Sequence, residues 1–256
     1  MNTDPAVFQL QNAVFAYPAE NPVLNSISLS IRKGERVSVL GANGSGKSTL
    51  LKIFAGLLLP QQGAFTAFGR QVSEKMRADD AYSMEYHRRV GFIFQDSDVQ
   101  LFCGTVEEEI SFGPLQLNLS ADDVKRRTDD IAEMLGIQSL LQKPPFRLSG
   151  GEKKKVALAS VLVLNPEVLI LDEPTNELDP RTQTWLIRLL EALSRAGKTI
   201  ISSTHNLGLV PRLSQRAVLL SEDHRILADR SAPELLRDFA VLQKANLIDD
   251  DIPDFV

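Results

Sequence analysis

The nine residues "GANGSGKST", Gly41 to Thr49, leave few folds open to this chain. Gly41, Gly46, Lys47 and Ser48 satisfy G-x-x-x-x-G-K-[ST], and the match lies between an apolar run, "RVSVLG", and a helical pattern, "KSTLLKIFAGL". That is the strand, loop and helix the motif requires. Glycines let the backbone wrap closely, and the amides of Asn43, Gly44, Ser45 and Thr49 sit where a helix N-terminus favours anionic oxygens. Lys47 can reach two phosphates and the Ser48 hydroxyl can bind Mg²⁺. An ordinary glycine-rich turn is the competing reading, and it leaves the flanking strand and helix unexplained.

The runs "RVSVLG", "EVLILDE" and "TIISSTH" are short and rich in Val, Ile and Leu, as in parallel strands covered on both faces. "NSISLSI" instead alternates Ile27, Leu29 and Ile31 with polar residues, the period of a half-buried antiparallel strand. The fold class expected is α/β, with a mostly parallel core sheet, an N-terminal antiparallel β-subdomain and an inserted α-helical subdomain. One integrated domain over 1–256 is expected: core at about 1–95 and 165–230, helical subdomain at about 96–164, C-terminal helix and acidic tail at about 231–256. In the helical stretch, Val124, Ile131, Met134 and Leu135 recur near helical spacing behind Ser120, a candidate N-cap. After His205 a hairpin ("RAVLLSEDHRILADR"), one helix ("APELLRDFAVLQKA") and a frayed acidic end ("IDDDIPDFV") are expected.

The strand "VLILDEP" ends in adjacent acids. Beside a phosphate loop, Asp172 is suited to hold Mg²⁺ and Glu173 to polarise a water for attack on phosphorus; alone, the pair would read as a polar strand end. His205 ends another apolar strand, and open α/β sheets bind ligands at the carboxyl ends of their strands. Position alone leaves His205 open between a functional and a structural role, whereas His87 and His224 read as structural. Trp185, Leu186, Leu189, Leu190 and Leu193 form an apolar helix face read as core.

A net charge of -5 disfavours a surface built for nucleic acid. The single cysteine, Cys103, cannot form an internal disulfide and reads as an inert thiol. Neither a secretory signal nor an apolar run of the about 20 residues a membrane helix needs is visible, so a cytosolic protein is expected.

The order "GANGSGKST", "FQDSDVQLF", "LSGGE", "VLILDEPTNELD", "SSTH" resembles the ATP-binding-cassette (ABC) ATPases over nearly the whole chain. The resemblance implies ATP and Mg²⁺ as ligands and ATP hydrolysis as the activity. It implies that Tyr17 stacks on adenine, that Gln95 links Mg²⁺ and the attacking water to a transport partner, and that Glu173 is the general base. It makes His205 the γ-phosphate switch and Asp179 a communication residue across a dimer. Ser149, Gly150 and Gly151 would complete a site held by the phosphate loop of a second ABC ATPase subunit, a homodimer or a close paralogue. Without the family, Tyr17 would read as strand-end packing and Ser149 with Glu152 as a capping box. Where the family usually has Gln, this chain has Glu152, expected to be tied up in that cap. Lys153, Lys154 and Lys155 read as a solvated helix face.

Between Gln95 and the family's LSGG signature at 148–151, "QLF" and "TVEEEISFGP" look like the ATPase subunits of energy-coupling-factor importers and their cobalt or nickel relatives. Glu107 to Glu109 and "SEDHRIL", where relatives often carry Asp-Gly, depart from that pattern. The resemblance implies a peripheral subunit on the cytoplasmic face of the membrane, with an integral membrane transport subunit docking near Gln95 and the helical subdomain. Val99, Leu101 and Phe102 are the candidate docking cluster, against ordinary packing. The alternative is a soluble ABC ATPase acting on ribosomes or DNA. The substrate is not readable from the chain.

Overall fold

The computed structural model describes residues 6–248. In chain order it runs β1 (Ala6–Phe15), β2 (Leu24–Arg32), β3 (Arg36–Leu40), α1 (Lys47–Phe54), β4 (Gln62–Ala67) and β5 (Arg70–Gln71). Two helices, α2 (Glu74–Arg77) and α3 (Asp80–Arg89), lead to β6 (Val90–Ile93), followed by α4 (Val106–Gln116), α5 (Ala121–Leu135) and α6 (Gly150–Leu162). The chain returns through β7 (Val168–Leu171), α7 (Pro180–Arg195), β8 (Thr199–Ser203) and α8 (Val210–Leu213). It closes with β9 (Arg216–Leu220), β10 (Ile226–Ser231), α9 (Ala232–Leu236) and α10 (Phe239–Lys244).

Two sheets form, and the sequence periods sort the strands between them. In β2 the alternation of Ile27, Leu29 and Ile31 with serines buries one face, and β2-β1-β4-β5 is antiparallel throughout. The apolar runs β3, β7 and β8 are buried almost end to end and lie in the sheet β10-β9-β3-β8-β7-β6, parallel except for β10. Ile93, Leu171, Ser202, Ser38 and Ala217 pair side by side across five of its strands. Between the two sheets Phe8 stacks on Phe54 of α1 with centroids 5.2 Å apart, in a cluster that also holds Phe65. A second apolar cluster joins α4, α5, α6 and α7 to the other face of the parallel sheet, and it takes in Trp185, Leu186, Leu189, Leu190 and Leu193.

Several local expectations need correction. Ser120 caps α5 by accepting from the Asp123 amide, but the buried stripe is Val124, Thr128, Ile131 and Leu135; Met134 falls on its flank and is 53% exposed. The C-terminal helix is two helices, because Asp238 leaves helical geometry to cap α10 and pairs with Arg230 at 3.0 Å. In the β9–β10 turn His224 takes φ 61, the left-handed conformation for which Gly is the usual choice. The acidic end from Asp249 onward lies outside the described residues. Strand β6 carries little sequence signal: it is four residues long and includes Gly91, where a Cβ would collide with Val161 of the helix packed on it.

Candidate active site

The loop after β3 has the shape its glycines dictate. Gly46 N-caps α1 at φ 101, and a Cβ there would collide with the Val23 carbonyl, so only Gly fits. A cleft of about 360 Å³ gathers Asn43, Gly44, Gly46, Lys47, Ser48 and Thr49 with Gln95, Glu173 and His205, and Val23 and Asn176 complete it. Gly41 and Ser45 lie buried behind the loop, and the Gly41 carbonyl accepts from Lys47 Nζ at 2.9 Å. Lys47 Nζ also donates to the Ala42 carbonyl at 3.0 Å and lies 3.9 Å from Glu173 Oε1. Burial lowers the Lys47 pKa, while Glu173 and Asp172 act in the opposite sense.

The acid pair is held from behind. Asp172 and Glu173 are 6% and 5% exposed, and both meet the Ser203 hydroxyl, which donates to Asp172 Oδ1 at 2.6 Å and accepts from the Glu173 amide at 2.8 Å. Glu173 adopts φ 42, a strained region for a residue with a Cβ. Its Oε1 lies 3.1 Å from His205 Nδ1, and its buried Oε2 has no hydrogen-bond partner. A buried carboxylate oxygen normally has one. In a cleft that also holds Lys47, this orphaned acceptor fits a water that must lose a proton. Among the described residues no cluster of three or more His, Cys, Asp or Glu could by itself hold a metal. Ser48 and Gln95 line the cleft, and Asp172 directly precedes Glu173 at the end of β7; such a sparse oxygen set fits Mg²⁺, a cation that takes few protein ligands when substrate phosphates supply the others.

The other expected site residues lie elsewhere. Tyr17 stands beside the loop, its hydroxyl 3.3 Å from Thr49 Oγ1 and its ring edge-on to Phe15 at 5.1 Å. Ser149, Gly150, Gly151 and Asp179 do not line the cleft. Ser149 and Glu152 form the capping box: Glu152 Oε2 accepts from the Ser149 amide and hydroxyl, each at 2.8 Å, and the Glu152 amide donates to Ser149 Oγ. The Ser149 amide, then its hydroxyl, hold the Glu152 carboxyl below its usual range. Asp179 caps α7 through the amides of Arg181 and Thr182 and the Thr182 hydroxyl.

The lysine triplet is not a solvated face. Lys154 is 3% exposed and donates to the Phe94 and Gln95 carbonyls, Lys153 pairs with Asp98 at 2.6 Å, and Lys155 sits over the Trp185 ring. The acidic run divides as well: Glu108 caps α4 with Thr105, and buried Glu109 accepts from the Phe102 and Cys103 amides. In the candidate docking cluster Val99 and Phe102 are 70% and 67% exposed, but Leu101 packs inward. Phe102 meets Phe112 edge to face at 5.1 Å, beside a groove between α3 and α4 lined by Met84, Phe112 and Leu164.

Sequence reasoning passed over Ser203 and read Lys154 as solvated. Ser203 carried a signal: a polar residue in a strand buried on both faces needs partners. Lys154 carried none, since its carbonyls lie about 60 residues away.

Residues 24–176 match the ABC transporter family model. A putative ABC transporter ATP-binding protein of Caldanaerobacter subterraneus subsp. tengcongensis is 49% identical over 242 residues, covering 94% of this chain and 99% of that one. The nickel import ATP-binding protein NikO of Rhodobacter capsulatus is 46% identical over 244 residues, covering 94% and 95%. Among solved structures, CbiO1 of Clostridium perfringens, part of the ABC transporter complex CbiONQ, superposes with a TM-score of 0.80 at 34% identity, covering 94% and 95%.

Proposed function

This chain belongs to the ABC transporter ATP-binding family, and from that premise we propose that its cleft binds ATP and hydrolyses it to ADP and phosphate to power a membrane importer of the energy-coupling-factor or nickel/cobalt type. The observation that carries the chemistry is the unpartnered Oε2 of buried Glu173 in the same cleft as the phosphate loop.

The roles follow from the residues. Tyr17 takes the adenine on its ring face. The loop amides and the α1 N-terminus take the phosphates, and Lys47 exchanges two carbonyl partners for phosphate oxygens, which are stronger acceptors for an ammonium. Mg²⁺, arriving with the nucleotide, would be held by Ser48, Gln95 and Asp172 and would neutralise phosphate charge. Glu173 Oε2 accepts the proton of the attacking water as its oxygen bonds to the γ phosphorus and the bond to ADP breaks. His205 steadies the other carboxylate oxygen and faces the γ-phosphate.

Two such chains are needed, each presenting Ser149, Gly150, Gly151 and Asp179 to the other's nucleotide. Among the described residues no helix is long and apolar enough to cross a membrane. In the importer reading the chain works peripherally, at the cytoplasmic face, against an integral membrane subunit. Exposed Val99 and Phe102, and the groove beside Phe112, support docking there. NikO's name and the CbiONQ assembly support the importer type.

Glu173→Gln tests the chemistry: it should bind ATP and accumulate a dimer without turnover, and retained hydrolysis would remove Glu173 as general base. Purification from native membranes tests the partner, since recovery of ribosomes and no membrane protein would refute the transporter reading.

A further inference from the structure

Gln95 leaves the sheet early. The ladder between β6 and β7 ends at Ile93 and Leu171, and the Asp172 amide donates to the Ile93 carbonyl. From Phe94 onward the chain is bound to α6. Lys154 Nζ donates to the Phe94 carbonyl at 3.2 Å and the Gln95 carbonyl at 2.9 Å, and Lys153 Nζ meets Asp98 at 2.6 Å. Gln100 donates to the Ala157 carbonyl at 2.9 Å and accepts from the Phe94 amide at 3.2 Å.

Lys154 is the unusual member of this set. It is buried, and among the described residues it has no carboxylate within ion-pair distance. Burial of an ammonium without a counter-charge is costly, and an apolar side chain of similar length would fill the space more cheaply. The fields of Asp96, Glu177 and Asp172 oppose the fall in its pKa that burial causes. Its two carbonyl partners straddle the peptide that carries the Gln95 side chain into the nucleotide cleft. Its own helix begins at Ser149, Gly150 and Gly151, and Gly150, Lys154 and Gln95 line one small cleft that shares Gln95 and Asn176 with the nucleotide cleft.

We propose that Lys154 is a positioning residue that fastens Gln95 to the signature helix, so that Gln95 and the Ser149–Gly151 turn move as one body. The inference rests on the ABC ATPase reading above. Under it, occupancy of a chain's own cleft, sensed at Gln95, is delivered through Lys154 to the turn that covers the second chain's nucleotide. The two sites of a dimer are thereby linked within each chain as well as across the interface.

The test uses the full chain with Lys154→Met, which keeps length and packing, Lys154→Gln, which keeps a donor and serves if the Met variant does not fold, and Lys154→Arg as the conservative rescue. Three measurements are needed: binding of a fluorescent ATP analogue, the ATP dependence of hydrolysis, and amide hydrogen exchange. In Lys154→Met analogue affinity should be unchanged and the Hill coefficient for ATP should fall from about 2 toward about 1 for two coupled sites. Exchange should quicken at residues 94–100 while the 41–49 loop keeps its protection, and Lys154→Arg should restore both. Unchanged exchange at 94–100 with an unchanged Hill coefficient would overturn the proposal. So would a uniform rise in exchange across α6 and the sheet, which marks a structural role alone. If the parent chain neither dimerises with ATP nor hydrolyses it cooperatively, the homodimer reading of the two coupled sites fails, while hydrogen exchange still judges whether Lys154 holds Gln95.

Discussion

Replacing Ser203 by Ala removes one hydroxyl that serves two masters in the acid pair. Ser203 is fully buried, its hydroxyl donating to Asp172 Oδ1 at 2.6 Å and accepting from the Glu173 amide at 2.8 Å. Without it the Glu173 amide is left buried and unpaired, which costs about 1–3 kcal/mol, and Asp172 loses a hydrogen bond to a charged group, worth about 1.5–3 kcal/mol. The two share one oxygen and are not additive, so a loss of roughly 2–4 kcal/mol is expected. For a chain of this size that is a fall in Tm on the order of 5–15 °C. Ser202→Ala is the internal control: the same strand and 1% exposure, but its hydroxyl meets only Ser38 Oγ at 3.4 Å, so less than about 1 kcal/mol should be lost. Thermal unfolding of both variants without nucleotide measures the difference. Steady-state hydrolysis should also fall on the order of 10- to 100-fold in Ser203→Ala, because the Glu173 backbone, held at φ 42, is free to relax. Equal losses in the two variants, or a Ser203→Ala protein as stable and active as its parent, would refute the reasoning.

Three further outcomes follow from the geometry. Burial, then the carboxylate of Glu109, push the Cys103 thiol up to about 11; alkylation by iodoacetamide at pH 8 should run roughly a hundredfold slower than for an ordinary thiol, and a rate profile centred near the ordinary thiol range would contradict this. The sign for stability is a loss on raising the pH from 9 toward about 11, where the unfolded chain has released this proton and the folded chain retains it. Glu152→Gln should lower stability by less than about 1 kcal/mol and leave ATP-driven dimerisation unchanged by light scattering, since the carboxylate is engaged by Ser149; sharply tighter dimers would show it opposing the γ phosphate. Its cap contributes above the usual carboxylate range and weakens as pH falls through the depressed folded value. Gly46→Ala forces a methyl against the Val23 carbonyl in left-handed backbone, so binding of a fluorescent ATP analogue should be lost while far-UV circular dichroism is kept; retained affinity would show that the loop need not hold its shape.

What the sequence disclosed about this fold was what local chemistry determines. Lys47 and its glycines, the acids after β7 and the alternation in β2 each carry their meaning within a few residues, because a loop, a strand end and a strand face are local objects. What stayed hidden depends on partners distant in sequence. The Lys triplet looked solvated because nothing near 153–155 tells that Phe94 and Gln95 bring carbonyls to Lys154. Met134 fits a helical period yet sits at the flank of the stripe, a distinction settled by where α4 and α6 stand. Strand β6 is too short and glycine-marked to announce itself, and Asp238 breaks the last helix because a cap and a partner at Arg230 outweigh a continuous apolar pattern.

The side-by-side row Ile93, Leu171, Ser202 and Ser38 acts as a surveyor's baseline. Gln95, Asp172, Glu173, His205 and Gly41 each stand one to three residues past it on adjoining strands. A rigid displacement of the sheet is therefore common-mode: it carries these groups together and leaves the separations between them unaltered. Differential motion is confined to the short overhangs beyond the baseline. Among those, the overhang that bears Gln95 is anchored to α6 by Lys154, so it is where strain entering from the helical side would register first.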